Sequence, residues 1–352
     1  MASGQNTDAV VVAYGRTPIG KASRGSFRNL TSDALLSPVI KTVLQRAHTG
    51  PETVEECVFG NALSPSGGFM ETRMAALECG IPVDTPLMVV NRWCGSGLDA
   101  LDNVASKIRS GRISVGLAGG FELMSRNTMP LEPCIEADSL RSEHARRCLM
   151  TMGETSEELA MRFGISRDDS DRYACQSQER ALHATESGEW DGEIVPVRTE
   201  GDVVCRDDGV RRSDMATLSR LKPVFREGGI STAGNSSQLS DAAAAVLLMS
   251  REKAAALGVP VLGTFVDFVC VGCDPSVMGI GPSVAIPRLL RRNNLTAGDV
   301  DVFEINEAFA SQTLYCIRAL GIPESKRRDL RVGVVSLCVG TGMGVAALIR
   351  RD

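Results

Sequence analysis

The stretch Leu87-Met88-Val89-Val90-Asn91-Arg92-Trp93-Cys94-Gly95-Ser96-Gly97-Leu98 decides the fold prediction. Its first four residues are all apolar, which is typical of a strand buried on both faces. Apolar residues then recur at helical spacing, at Leu98, Leu101, Val104, Ala105 and Ile108. Cys94 therefore stands between a buried strand and a helix, and the glycines beside it permit the tight turn.

A cysteine in this position can act as a nucleophile. The N-terminus of a helix carries partial positive charge and free N–H groups, which favour the thiolate. The alternative is an inert buried cysteine.

Short apolar runs alternate with amphipathic segments along the whole chain, which predicts an α/β protein with sheets covered on both faces. The predicted strands are 9–13, 87–90, 113–117, 243–249, 261–271, 300–305, 332–337 and 345–349. The predicted helices include 34–44, one that opens at Ser166, and 307–320, which Gly321 ends. The polar, charge-rich stretch 121–235 is interpreted as a loop domain inserted into this pattern.

The composition excludes several classes of function. The chain has 352 residues, 43% of them hydrophobic, with formal net charge −5. That length predicts two domains or one large two-lobed domain. The acidic balance and the 4% aromatic content argue against nucleic-acid binding. No apolar run approaches the roughly 18 residues of a membrane span.

The cysteines do not form a metal-binding pattern. There are 11, scattered along the chain, and Cys270-Val271-Gly272-Cys273 is a lone CxxC match inside a strand-like run. Only His48, His144 and His183 are available as further ligands, so no metal site is predicted. The odd number of cysteines points to a reducing compartment.

A second cysteine turn lies near the C-terminus, in Val335-Ser336-Leu337-Cys338-Val339-Gly340-Thr341-Gly342-Met343-Gly344. Alternating glycines let backbone N–H groups converge on one point and form an anion-binding nest. A phosphate-binding loop is the rival interpretation, but the lysine that such a loop requires is missing. An oxyanion hole beside a thiol acid/base fits better.

Three further motifs place polar or small residues at the ends of apolar segments. Glu304-Ile305-Asn306-Glu307-Ala308-Phe309-Ala310 follows a strand and points Asn306 into a cleft, although Asn306 could instead cap a helix. Ser231-Thr232-Ala233-Gly234-Asn235-Ser236-Ser237 is a small polar loop able to approach an extended ligand, and Met278-Gly279-Ile280-Gly281-Pro282 is a rigid turn.

Taken in order, these motifs resemble the thiolase family from about residue 8 to the end, with the greatest similarity to peroxisomal-type 3-ketoacyl-CoA thiolases. The resemblance implies a thiolase fold of two pseudo-symmetric halves in an αβαβα arrangement. The implied divisions are an N-terminal half at 1–120 plus 236–255, an inserted loop domain at 121–235, and a C-terminal half at 256–352.

The resemblance also implies the chemistry of individual residues. Cys94 is the nucleophile that takes the acyl group from a 3-ketoacyl-CoA, and Cys338 is the acid/base. Asn306 holds a water in the first oxyanion hole, and the N–H groups of Cys94 and Gly340 form the second. The matching substrate-binding positions are Ser237, Phe225, Met152, Met278 and Phe309. CoA is a co-substrate, no resident cofactor is expected, and the chain is expected to form a homodimer or homotetramer.

The chain departs from the family at one place. Thiolases carry a Gly-His-Pro loop before the last cysteine strand, and its histidine activates the nucleophile and supplies an oxyanion donor. Here Gly321-Ile322-Pro323 passes almost directly to Val332, so the C-terminal half is expected to be shortened between 326 and 332. His144 and His183 lie in surface-like stretches and are not in a comparable context.

Three explanations of this departure remain open. The chain is a shortened splice or gene-model product of a thiolase, a pseudoenzyme that binds acyl-CoA or a partner, or an enzyme in which another residue replaces the histidine. The sequence offers no candidate for that replacement. A decarboxylating condensing enzyme is a further alternative, but such enzymes place histidines in the C-terminal half, and none follows His183. The resemblance implies a peroxisomal location, with cytoplasmic and mitochondrial locations as alternatives.

Overall fold

The computed structural model describes residues 7–128, 135–136, 140–322 and 330–352. The N-terminal elements are β1 (Ala9–Arg16), β2 (Gly20–Lys21), α1 (Ser32–Arg46), β3 (Glu56–Gly60), α2 (Phe69–Glu78), β4 (Leu87–Val90), α3 (Ser96–Arg109) and β5 (Val115–Leu123). The middle elements are α4 (Glu143–Arg147), α5 (Met152–Phe163), α6 (Arg167–Glu186), β6 (Val197–Arg198), β7 (Val203–Val204) and α7 (Met215–Leu218). The remaining elements are β8 (Ser240–Ser250), α8 (Arg251–Leu257), β9 (Gly263–Gly272), α9 (Gly281–Arg292), β10 (Val302–Ile305), α10 (Ala310–Leu320), β11 (Val332–Val339) and β12 (Met343–Arg350).

The strands form two arrays of matching order, which confirms the prediction of two similar halves. The N-terminal array runs β1-β8-β5-β3-β4 and the C-terminal array runs β9-β12-β11-β10. In the N-terminal array β8 is antiparallel to both β1 and β5, and in the C-terminal array β12 is antiparallel to both β9 and β11. The next pairs, β5 with β3 and β11 with β10, are parallel. Within the described ranges, the two arrays are joined by the pairing of Val10 with Thr264 and of Val11 with Gly263.

The C-terminal array lacks one strand–helix unit in the described part of the chain. In the N-terminal half, β3 and α2 are followed by β4 and α3 before β5 begins. In the C-terminal half, β10 and α10 are followed by β11, the counterpart of β5. Among the described residues, nothing corresponds to β4 and α3. The predicted shortening between 326 and 332 falls mostly on residues 323–329, which lie outside the described residues.

Helix α3 lies between the two arrays and forms the central layer. Its buried face includes Ala100, Val104 and Ile108, which pack with Leu248 of β8 and Ala347 of β12. The outer layers are formed by α1 against the N-terminal array and by α9 against the C-terminal array. This order confirms the predicted αβαβα layering.

The predicted elements are present, most with bounds shifted by one to three residues, and the strand 113–117 and the helix 307–320 illustrate the differences. The predicted strand 113–117 is observed as β5, which extends to Leu123 because β8 pairs with it along its whole length. Gly119 fits there because a Cβ at this position would come within 2.4 Å of the Ala244 carbonyl oxygen. The predicted helix 307–320 begins only at Ala310, and Gly321 ends it with φ 61° as expected.

The division into an inserted loop domain and two halves stays a prediction. Its boundary at residue 120 falls within β5, and its boundary at residue 255 falls within α8. The stretch between β5 and β8 contains the short and long helices α4 to α7. The predicted start of α6 is confirmed, because the Ser166 hydroxyl accepts the Asp169 N–H at 3.0 Å. No described helix is long and apolar enough to cross a membrane.

Candidate active site

The loop between β4 and α3 holds Cys94 at the N-terminus of a helix. The Asn91 side-chain oxygen accepts the Trp93 N–H at 2.9 Å, and the Ser96 hydroxyl accepts the Arg92 N–H at 2.8 Å. The Ser96 hydroxyl also donates to the Trp93 carbonyl at 2.6 Å. These bonds hold Trp93 in the left-handed region, with φ 47°, which costs backbone strain for a bulky residue. The loop is therefore rigid, and it presents Cys94 as an exposed residue.

Close packing docks this loop onto the C-terminal array. A Cβ on Gly95 would lie 3.1 Å from Val339 Cγ2 and 3.2 Å from Val345 Cγ1, so the loop backbone rests directly on β11 and β12. Arg92 adds an ion pair of 3.1 Å with Asp99 in the first turn of α3. The first cysteine motif is thereby brought against the end of β11, where Cys338 lies.

Cys338 is fully enclosed, at 1% exposure, and its strand leads into the glycine turn. Thr341 and Gly342 adopt positive φ values of 68° and 90° in this turn. The turn places the Gly340 backbone beside the cysteine loop, because a Cβ on Gly340 would lie 3.6 Å from Trp93, and the N–H groups of Gly340 and Cys94 lower the pKa of the Cys94 thiol. The two glycine-rich motifs therefore converge on one point, as the sequence predicted, with N–H donors beside the sulfur.

Loss of solvent around the sulfur governs the ionisation of both thiols, although the Cys94 residue keeps exposed surface and Cys338 has almost none. This loss raises the pKa of Cys94 above its ordinary value, the two N–H donors lower it, and the charge of Glu122 raises it further. Burial also raises the pKa of Cys338 well above its ordinary value, and the nearby Cys94 adds to this. The N–H groups at the helix N-terminus favour the Cys94 thiolate, and the loss of solvent around the thiol outweighs them. The role of Cys94 as the nucleophile stays a prediction.

Asn306 and Ser237 are brought together with the segment that follows β10. The Asn306 N–H continues the β10–β11 pairing by donating to Ser336 O at 3.0 Å, and its side chain is exposed. The alternative that Asn306 caps the next helix is wrong, since the residue before α10 is Phe309. The Ser237 N–H donates to Ala308 O at 3.0 Å, so the small polar loop lies against this segment.

The predicted apolar contacts fall into three groups. Met152 lies beside the glycine turn, because a Cβ on Gly340 would be 3.6 Å from its sulfur. Phe225 and Phe309 form an edge-to-face pair with ring centroids 6.1 Å apart. Met278 is buried in a 3₁₀ turn, Pro275–Ile280, rather than in the simple turn that the sequence indicated. The substrate-contact roles of these four residues stay predictions.

Two cavities open on this site. The first, of about 580 Å³, is lined by Cys94 and Trp93 from the loop and by Leu101, Glu122 and Val246 from the central faces of α3, β5 and β8. The second, of about 840 Å³, is lined by the following residues among others: Tyr173, Ser177, Ser236, Ser237 and Glu307. Among the described residues that line either cavity, none is a histidine.

The three histidines lie away from these cavities. His48, His144 and His183 are all exposed, which confirms the surface positions predicted for His144 and His183. In the part of the chain that the structure describes, no group of three or more His, Cys, Asp or Glu residues is placed to hold a metal ion.

Sequence reasoning missed two charged residues of this site. Glu122 lies near the end of β5, inside a run that looks like ordinary strand, and nothing in its spacing indicates that its carboxyl shares a cavity with Cys94. Arg92 belongs to the first cysteine motif, but its sequence context predicts no function for it. It links the cysteine loop to the C-terminal array, because its guanidinium lies 3.4 Å from Cys270 Sγ on β9.

Comparison with known proteins agrees with this geometry. The family model described as the thiolase N-terminal domain matches residues 9–252, and that of the thiolase C-terminal domain matches residues 259–328. The chain belongs to the thiolase family. The thiolase models do not extend over the final strands, β11 and β12, which carry Cys338.

Individual relatives are similar over almost their full length. The peroxisomal 3-ketoacyl-CoA thiolase of Encephalitozoon cuniculi is 44% identical, over 98% of this chain and 96% of its own. Peroxisomal 3-ketoacyl-CoA thiolase A of Mus musculus is 47% identical, over 97% of this chain and 90% of its own. These alignments extend over 375 and 383 positions, more than the 352 residues of this chain, so the two thiolases contain residues that it lacks.

Solved thiolase structures superpose closely. The dimeric peroxisomal thiolase of Saccharomyces cerevisiae gives a TM-score of 0.94 at 37% identity, covering 99% of each chain. Human mitochondrial 3-ketoacyl-CoA thiolase, solved in complex with CoA, gives 0.89 at 32% identity, covering 98% of each chain. These likenesses confirm the predicted thiolase fold.

Proposed function

We propose that this chain is an acetyl-CoA C-acyltransferase, a 3-ketoacyl-CoA thiolase of fatty acid β-oxidation. The observation that carries the proposal is the convergence of the Cys94 loop on the glycine turn after Cys338, where Gly95 packs against Val339 and Gly340 lies beside Trp93. Two thiols and a set of fixed N–H donors at one point suit acyl transfer through a covalent cysteine.

The first half of the reaction transfers the acyl group to the enzyme. The Cys94 thiol gives its proton to a base in the cleft, which returns it when the acyl group later leaves. The Cys94 sulfur attacks the 3-keto carbon, and the carbonyl oxygen gains negative charge beside the Gly340 N–H. The bond between carbons 2 and 3 then breaks, and its electron pair goes to the enolate of acetyl-CoA. The Cys338 thiol gives its proton to that enolate, a role that suits a buried thiol kept neutral by a high pKa.

The second half releases a shortened acyl-CoA. The thiol of CoA gives its proton to the Cys338 thiolate, and its sulfur attacks the acyl group on Cys94. The Cys94–acyl bond breaks and the enzyme is restored. Asn306, at the mouth of the cleft after β10, is proposed to hold the water that stabilises the enolate oxygen.

The surroundings of the site suit an extended CoA ligand. The edge-to-face pair of Phe225 and Phe309 and the contact of Met152 with the glycine turn support a CoA path on this side of Cys94. Ser237 and these residues are proposed to line the CoA path, with Met278 contacting the acyl end. CoA enters as a co-substrate, and the reaction needs no resident cofactor.

The proposal includes location and assembly. The relatives from Encephalitozoon cuniculi, Mus musculus and Arabidopsis thaliana are named peroxisomal, which supports a peroxisomal location. The yeast structure is of a dimeric thiolase, and this supports a homodimer.

A second candidate function is acyl-CoA binding without efficient turnover. It is favoured by the described lining of both cavities, which holds no histidine, and by the strand–helix unit that the described C-terminal half lacks. Removing one member of a catalytic unit can cost several orders of magnitude in rate.

The test is CoA-dependent cleavage of acetoacetyl-CoA and of a longer 3-ketoacyl-CoA by the full chain. We expect turnover that Cys94→Ala abolishes and that Cys205→Ala, a change at an exposed cysteine, leaves intact. A folded, CoA-binding protein with no turnover would contradict the proposal and support the second candidate.

A further inference from the structure

The cavity beside Cys94 contains very few groups that can exchange a proton. Its titratable lining residues, within the described part of the chain, are Arg16, Cys94 and Glu122. Arg16 cannot accept a proton, because a guanidinium stays charged. It is also held by Glu193 at 2.6 Å and Asp207 at 2.7 Å. Glu122 is therefore the one described lining residue that can act as a base toward the Cys94 thiol.

The fold fixes the Glu122 carboxyl at the wall of this cavity. One carboxyl oxygen accepts the Asn61 side-chain N–H at 3.3 Å, and the other accepts the Ala62 N–H at 2.9 Å. Glu122 pairs with Ala242 across the neighbouring strand. The groups that β3 and β8 present here are neutral, so the titratable groups facing the carboxyl are Cys94, from the loop before α3, and Arg16, from the end of β1.

We propose that Glu122 takes the proton of the Cys94 thiol when the sulfur attacks the substrate, and returns it when the acyl group leaves. In the first step the S–H bond breaks, the carboxylate becomes a carboxylic acid, and a carbon–sulfur bond forms. In the last step the acyl–sulfur bond breaks and the carboxylic acid gives the proton back to Cys94. The cavity, at about 580 Å³, has ample room for water to carry the proton between the two groups.

The surroundings of the carboxyl suit this task. Burial raises the pKa of Glu122, although its N–H donors from Ala62, Leu63 and Asn61 lower it. A carboxylate whose pKa lies closer to neutral is a better proton acceptor than an ordinary surface carboxylate. The Glu122 carboxylate also acts on Cys94, because its negative charge raises the pKa of the thiol and keeps it protonated until the substrate arrives.

The inference rests on the proposed function, and the experiment separates the two. Acylation of Cys94 by acetoacetyl-CoA is followed by mass spectrometry in a single turnover, and alkylation of Cys94 by iodoacetamide is followed in parallel, both as a function of pH. The proteins are the full-length wild type, Glu122→Gln, Glu122→Asp and Glu55→Gln. Glu55 is the matched control, because its carboxylate accepts two N–H groups, from Ser114 and Val115, at the opposite end of β5.

We expect the two rates to move in opposite directions in Glu122→Gln. The acylation rate should fall about 100-fold at neutral pH because the base is gone. For the same reason, its decrease toward low pH (the acid limb of the pH profile) should disappear. Alkylation should become faster, because removing a negative charge lowers the pKa of the Cys94 thiol. Glu122→Asp should recover part of the acylation rate, and Glu55→Gln should keep the wild-type pH profile.

Three results would overturn the inference. An acylation profile in Glu122→Gln with the wild-type acid limb would show that the carboxyl carries no proton. Slower acylation and slower alkylation together, with a lower melting temperature in both Glu122 variants, would show that the carboxyl only supports the chain at Asn61 and Ala62. A folded wild type whose Cys94 is alkylated but never acylated would refute the proposed function, and the inference with it.

Discussion

Replacing Gly95 by alanine tests whether the contact between the two halves sets the position of Cys94. The backbone of Gly95 has φ −83°, which alanine adopts without strain, so the change acts only through its added methyl group. That methyl group would lie 3.1 Å from Val339 and 3.2 Å from Val345. Carbon atoms in good contact are about 3.5–4.0 Å apart, so the loop must move by about 0.5 Å.

The size of this movement gives the expected effects. Overpacking of this kind costs about 1–2 kcal/mol of the free energy of unfolding. A misplacement of about 1 Å at a reacting group costs roughly 100-fold in rate, so half of it should slow the acylation of Cys94 by about tenfold. The alkylation of Cys94 by iodoacetamide should change less, because that reaction needs no alignment with the Gly340 N–H.

Urea unfolding and single-turnover acylation measure the two effects, with Gly97→Ala as the matched control. A Cβ on Gly97 would meet no atom within 4 Å, and the residue lies inside α3, so this variant should gain about 0.5–1 kcal/mol in stability. The reasoning is refuted if Gly95→Ala equals the wild type in both stability and acylation rate.

Three other predictions concern pH and ligand binding. Burial raises the pKa of both Cys57 and Cys316 from 9.0 to about 12, so each thiol stays protonated in the folded state and ionises on unfolding. The contribution of these two thiols to the free energy of unfolding is complete below pH 9 and is lost as the pH rises toward 12. The loss should be about 1 kcal/mol per thiol at pH 10, measured by urea unfolding at pH 7 and pH 10. Cys57→Ala should halve this loss. Burial raises the pKa of Asp274, but hydrogen bonds from Ser276 and from the Arg162 guanidinium outweigh burial and lower this pKa to about 2. The free energy of unfolding should therefore fall as the pH drops from about 4 toward 2. Asp274→Asn should remove that dependence in thermal melting. Phe225→Ala should raise KM for CoA about tenfold with kcat nearly unchanged, in steady-state kinetics, and an unchanged KM would remove Phe225 from the CoA path.

Local patterns in the sequence were enough to locate most of the fold. The apolar run at 87–90 and the helical spacing after Leu98 predicted β4 and α3, because a buried strand and an amphipathic helix each have their own period. The extension of β5 through Gly119 and Gly120 was not predictable. Glycine disfavours strands, and only the pairing with β8 along the whole strand overrides that preference.

The residues of the site were predictable where short sequence motifs carry them. Properties that depend on how deeply a side chain is buried were not predictable. The resemblance implied that the motifs around Cys94 and Cys338 share a site, and in the structure Gly95 packs against Val339, next to Cys338. The extent to which burial opposes ionisation of Cys94 was not predictable, since the number of protein atoms around a thiol is a property of the whole fold. Glu122 was missed for the same reason: a carboxyl on a strand becomes part of a site only through the strands beside it.

The central place of β1 has a consequence for synthesis of the chain. β1 leaves the ribosome long before its partner strands, because Ala9 pairs with Ser250 and Val10 with Thr264, near the start of β9. At about 5–20 residues per second, β1 waits on the order of 10–50 s before either partner exists. During that time its run of three valines is an apolar segment of the nascent chain without its native partners. A pause in translation before residue 250 should therefore increase the loss of nascent chains to aggregation.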